Sequence, residues 1–167
     1  MAEPSGIAPV LVFGYGNPSR GDDALGPRMI AELEDLRAAG RLPGVDLLTD
    51  FQLQIEHILD LRDRDRVIFV DADLSAETGG RPPPWRWIPI EPESHLGWTS
   101  HRLDPGQLAG LLSRLCPDAH PLLQLLAIRG CTADLGADLS ESARDNLAAA
   151  VPMLTDELER RTRACRA

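Results

Sequence analysis

Residues 10–27 read VLVFGYGNPSRGDDALGP. The opening run, Val10-Leu11-Val12-Phe13, is apolar without alternation, which predicts a strand buried on both faces (residues 9–13). The run enters a glycine-rich loop at Gly14-Tyr15-Gly16. Beyond the loop, Met29, Ile30, Leu33 and Leu36 recur at helical spacing, with Pro27 suited to a first turn. A buried strand therefore passes through a loop into a helix, and the loop carries two adjacent carboxylates, Asp22 and Asp23. In an open α/β sheet, ligands collect at the carboxyl ends of the strands. Paired carboxylates at that place fit a cation or acid–base chemistry better than a phosphate.

The same alternation continues along the chain. Residues 44–50 (GVDLLTD) predict a second strand, and 53–61 a helix with Ile55, Ile58 and Leu59 on one side. Residues 66–71 (RVIFVD) predict a third buried strand, and 78–84 (TGGRPPP) a loop. Residues 85–90 alternate, and Pro89 restricts them to an edge strand. Asp104-Pro105 supplies a cap and first position for a helix bearing Leu108, Leu111, Leu112 and Leu115. Residues 122–128 predict another buried strand. Ser140 caps a last helix striped by Leu147, Val151, Leu154 and Leu158 and kinked at Pro152. Repeated β-α units predict an α/β fold: one domain over residues 1–167, with its core at about 9–160. Its mostly parallel, twisted sheet is sandwiched by helices in three α/β/α layers.

Composition narrows the function classes. With 167 residues, 43% of them apolar and 26% charged, the chain can bury a full core. A formal net charge of −9 argues against a nucleic acid or an anionic membrane as partner. The three cysteines, Cys116, Cys131 and Cys165, form no C-x-x-C pair, which fits a reducing, cytoplasmic location. Residues 1–8 lack the basic and apolar regions of a signal peptide, and no run is long enough for membrane insertion.

Three consecutive strands each deliver an aspartate toward one sheet edge, through Asp22/Asp23, Asp50 and Asp71. Each has a plain structural use as a helix-start or turn residue. Crowded together, they call for a cation or for protons. Of the four histidines, His57 reads as a surface or packing residue within the second helix, and His120 lies in a turn. His95 and His101 fall in a polar stretch, and His101 is held three residues before the Asp104-Pro105 helix start. Two carboxylates and an imidazole suit Ni²⁺ or Zn²⁺ better than Ca²⁺ or Mg²⁺. A dinucleotide reading of Gly14-x-Gly16 lacks its third glycine, because Ser19 stands there. No H-E-x-x-H, G-x-S-x-G or C-x-x-C motif is present.

These blocks resemble the hydrogenase maturation proteases. VLVFGYGNPSRGDDALGPRMI is similar to that family's opening block, in which a strand leads to Gly-x-Gly-Asn, then a paired acidic element and a glycine. RVIFVDA resembles the second block, and TSHRLDPGQLAGLL the third, a loop histidine before a leucine-rich helix. Ile128-Arg129-Gly130 with Gly136 and Leu139-Ser140 resembles the closing strand, loop and helix. Two features depart from the pattern. Phe51-Gln52-Leu53-Gln54 replaces a Gly-Gly or Gly-Thr element after Asp50, and Asp104-Pro105 replaces the common His-x-Leu-Gly continuation.

The resemblance implies a phosphorylase/hydrolase-like fold and an endopeptidase that trims the C-terminal extension from the precursor of a NiFe-hydrogenase large subunit. It places metal contacts at Asp23, Asp71 and His101, with Asp50 beside them. Nickel would arrive in the substrate as a recognition element, so no resident cofactor is expected, and the protein would act as a monomer. Either the nickel polarises the scissile carbonyl or activates water, or a carboxylate, Asp23 or Asp50, is the general base while the nickel only positions. Rival readings are a non-enzymatic nickel-binding or metallochaperone domain on the same residues and, less favoured, a Rossmann-like nucleotide binder.

Overall fold

The computed structural model describes residues 6–75, 82–93 and 103–164. Five strands form one sheet: β1 (Val10–Tyr15), β2 (Val45–Asp50), β3 (Arg66–Asp73), β4 (Trp85–Pro89) and β5 (Leu122–Arg129). Their order is β2-β1-β3-β5-β4. All pairs are parallel except β4 with β5, which is antiparallel and places β4 at the edge expected from Pro89. The expected loop at 78–84 lies in part outside the described residues.

The helices are α1 (Leu25–Ala38), α2 (Ile58–Leu61), α3 (Pro105–Leu115) and α4 (Glu141–Ala164). Each sheet face buries its own core. Val12, Ile68, Val70, Leu126 and Ile128 pack with Ile30 and Leu33 of α1 and Leu147 and Leu154 of α4. Leu11, Phe13, Val67 and Phe69 pack on the other face with Leu61 of α2 and Leu108 and Leu112 of α3. Successive side chains of β1 and β3 thus feed opposite cores, which is why both strands read as unbroken apolar runs. The expected three layers are present. Among the described residues no helix is long and apolar enough to cross a membrane.

α1 lies close against the sheet because two glycines face each other. A Cβ on Gly14 would strike the Gly26 carbonyl, and one on Gly26 would strike the carbonyls of Tyr15 and Val70. The contact holds the start of α1, and the loop before it, over the ends of β1 and β3.

One expectation needs correction. The helix expected at 53–61 is a 3-10 turn at Ile55–His57 followed by the single turn of α2. Leu53 is held instead in an antiparallel bridge with Leu103, and Gln54 is extended. The buried side chains there are Leu53, His57, Ile58 and Leu61, whereas Ile55 and Leu59 face outward. At the other end of the chain, Pro152 lies inside the single helix α4.

Candidate active site

The loop after β1 is built to turn one aspartate inward and the other away. Gly16 has φ +136°, and a Cβ there would collide with the Asp23 carbonyl, so only glycine allows this approach. Asn17 closes an Asx turn, its Oδ1 accepting the Ser19 N–H at 2.9 Å. The Asn17 N–H donates to Asp23 Oδ2 at 2.8 Å. Residues Gly21–Ala24 form a 3-10 turn, so the two aspartates precede α1 rather than sit in its first turn.

Asp22 has no exposed surface. Its Oδ2 accepts the Cys131 N–H at 2.7 Å and the Ser140 hydroxyl at 2.8 Å, and its Oδ1 accepts the Ser140 N–H at 2.7 Å. The Thr132 N–H adds a longer bond at 3.3 Å. Burial pushes the Asp22 carboxyl up, but these donors outweigh it and hold the group below the usual carboxylate range. Asp22 therefore ties the loop to the segment before α4. Ser140 in turn caps that helix, its Oγ accepting the Ala143 N–H at 3.2 Å.

Asp23 faces a cleft of about 180 Å³ at the carboxyl ends of the strands, whose lining includes Tyr15, Gly16, Leu53, Asp71 and Asp104. Strand register explains the meeting. Gly14 pairs with Val70 and Tyr15 with Asp50, so Tyr15 and Asp50, the last residues of β1 and β2, come level with Asp71, and β3 runs on to Asp73. The Tyr15 hydroxyl faces the Asp71 carboxylate across the cleft lining. Burial first, and then the negative charge of Asp71, push the Tyr15 hydroxyl well above its ordinary range, so it stays a neutral donor. The Leu53–Leu103 bridge brings the segment after β2 against the segment before α3. Asp104 then caps α3, its Oδ1 accepting the Gln107 N–H at 2.8 Å.

Asp50 sits at the end of β2, and its carbonyl accepts the Gly16 N–H at 3.2 Å. Its carboxylate takes the Phe51 N–H on Oδ1 at 2.6 Å and lies 3.2 Å through Oδ2 from His57 Nε2. His57 is nearly buried, with its ring edge-on to Phe13 at 4.7 Å, so of the two uses the sequence allowed it the packing one holds.

Of the four site residues read from the sequence, Asp23 and Asp71 share the cleft and Asp50 stands beside it, next to the lining residue Phe51. His101 lies outside the described residues, two positions before Leu103 of the cleft wall. Among the described residues, no three His, Cys, Asp or Glu side chains come together closely enough to hold a metal ion. Sequence reading missed Tyr15 and His57 as neighbours of the site. Tyr15 looked like a spacer between glycines. The signal for His57 was its position seven residues after Asp50, across a turn that brings the two side chains together.

No family model matches the chain, and no curated protein sequence matches it. Solved structures do. A NiFe-hydrogenase maturation protease, HycI, from Thermococcus kodakarensis superposes with a TM-score of 0.69 at 21% identity, covering 94% of this chain and 96% of that one. The hydrogenase maturating endopeptidase HybD from E. coli gives 0.66 at 22% identity, covering 90% and 92%. A hydrogenase 2 maturation peptidase from a Thaumarchaeota archaeon gives 0.58 at 26% identity, covering 89% and 97%. The fold is that of the family which the sequence blocks resemble.

Proposed function

We propose that this chain is an endopeptidase that removes the C-terminal extension from the precursor of a NiFe-hydrogenase large subunit, with the nickel seated in that substrate as its recognition element. The observation that carries the reading is the meeting of Asp23 and Asp71 in one cleft at the carboxyl ends of β1 and β3. The fold shared with the hydrogenase maturation proteases from T. kodakarensis and E. coli supports the reaction class.

In this reading, Asp23 and Asp71 present carboxylate oxygens to the substrate's nickel, and His101 supplies an imidazole. Oxygen and nitrogen donors suit that ion. The Asn17 N–H fixes the orientation of Asp23, and the Tyr15 hydroxyl that of Asp71. The scissile peptide then lies near the cleft wall made by Phe51, Gln52 and Leu53. These bulkier residues, where many family members carry small ones, set the shape of the substrate's extension. The chemistry falls to carboxylates. Asp50 stands nearest that wall, outside the pair that lines the cleft.

The test is incubation of the purified protein with a nickel-loaded large-subunit precursor, followed by mass spectrometry of the product. The wild type releases the C-terminal peptide, and Asp23→Asn, still folded, does not. Binding of the precursor without cleavage would favour a metallochaperone. Cleavage of a nickel-free precursor at the same kcat would remove nickel from the chemistry.

A further inference from the structure

We propose that His57 is a positioning residue for Asp50, and that the pair makes Asp50 the proton acceptor of the peptidase reaction. The inference rests on the peptidase reading above and assigns a role within it to a histidine that the sequence offered only as a surface or packing residue.

The geometry fixes the ring's hydrogen. The backbone N–H of Gln54 donates to His57 Nδ1 at 2.9 Å. Nδ1 therefore carries a lone pair, and the ring hydrogen sits on Nε2. Nε2 lies 3.2 Å from Asp50 Oδ2 and can only donate to it. Phe13, edge-on at 4.7 Å, holds the ring plane. The His57 side chain is 8% exposed, against 31% for Asp50. One partner is thus fixed inside the fold and the other reaches solvent. With the Phe51 N–H on Oδ1, both carboxylate oxygens have one donor each and keep lone pairs outward. Capping the 3-10 turn requires only Nδ1. The second contact, through Nε2, leads out of the turn to the carboxylate beside the cleft.

In the reaction, Asp50 takes a proton from water as the water oxygen bonds to the scissile carbonyl carbon. When the C–N bond breaks, Asp50 returns that proton to the departing amine nitrogen. One water is consumed, one carboxylic acid and one amine form, and Asp50 ends as it began. His57 takes no proton in this cycle, because Nε2 already carries one and Nδ1 is occupied by Gln54. Its work is to hold the carboxylate plane while the proton moves.

Four variants and one spectrum test this, with the full chain and a nickel-loaded precursor. His57→Leu keeps the apolar contact with Phe13 and removes both ring nitrogens. It should lower kcat by about 10- to 100-fold with KM unchanged. His57→Gln, whose amide nitrogen can replace Nε2–H, should recover most of that loss. Asp50→Asn should lose at least as much as His57→Leu, and His57→Leu in an Asp50→Asn background should cost nothing further. Nitrogen-15 NMR of the wild-type imidazole should show hydrogen on Nε2. The proposal is overturned if His57→Leu cleaves like the wild type, if only KM moves, if glutamine recovers nothing, or if the ring hydrogen is on Nδ1. A wild type that leaves the precursor intact overturns the peptidase reading instead, and this role of the pair with it, whatever the spectrum shows.

Discussion

Adjacent residues of one chemical type can have opposite uses, and Asp22 and Asp23 are such a pair. Asp23 keeps a surface on the cleft, whereas Asp22 is buried among donors from the segment before α4. Asp22→Ala should therefore cost stability: the N–H groups of Cys131 and Ser140 lose their acceptor inside the fold. About 3 kcal/mol is expected, read by urea denaturation at neutral pH. The pH dependence has a definite sign. A carboxyl held below its ordinary value in the folded state stabilises the protein above the unfolded-state value and loses that contribution as pH falls through the folded one. The gap between wild type and Asp22→Ala should be full at neutral pH and shrink below about pH 4. A gap that widened in acid would contradict this account. The family resemblance already separated the pair, with Asp22 holding the loop and the helix start; the partners that do this lie more than a hundred residues away and came only with the structure.

At the scale of elements, the site depends on how closely α1 approaches the sheet. Gly26→Ala should push the start of α1 away from the carbonyls of Tyr15 and Val70, which as backbone atoms have little room to give. The expected loss is about 3 kcal/mol in the same denaturation assay, with cleavage impaired even at temperatures where the variant is folded. A neutral Gly26→Ala would mean that helix and sheet are not held by this contact. The strands were legible because β1 and β3 feed two cores and so carry unbroken apolar runs at Val10–Phe13 and Val67–Val70. α3 was legible from its cap and leading proline. The segment after β2 was not. Its apolar residues suggested a helix over 53–61, but Leu53 pairs with Leu103 and the His57 ring occupies the Gln54 N–H, long-range and side-chain contacts that periodicity does not encode.

For the whole molecule, parallel strands in this register bring Asp23, Asp50 and Asp71 to the carboxyl edge of the sheet. That convergence was legible because consecutive β-α units must run parallel, and parallel strands share a carboxyl edge. What topology could not give was the division of labour within the edge: a cleft lined by Asp23 and Asp71, and beside it an Asp50 held by a buried histidine. The measurement that bears most directly on the account is a cleavage assay on a nickel-loaded large-subunit precursor with wild-type protein and folded Asp23→Asn and Asp71→Asn variants. The wild type should yield a shortened large subunit and a released C-terminal peptide, and either variant at least a 100-fold slower release. An intact precursor after incubation with the wild type, or equal release by all three proteins, would contradict it.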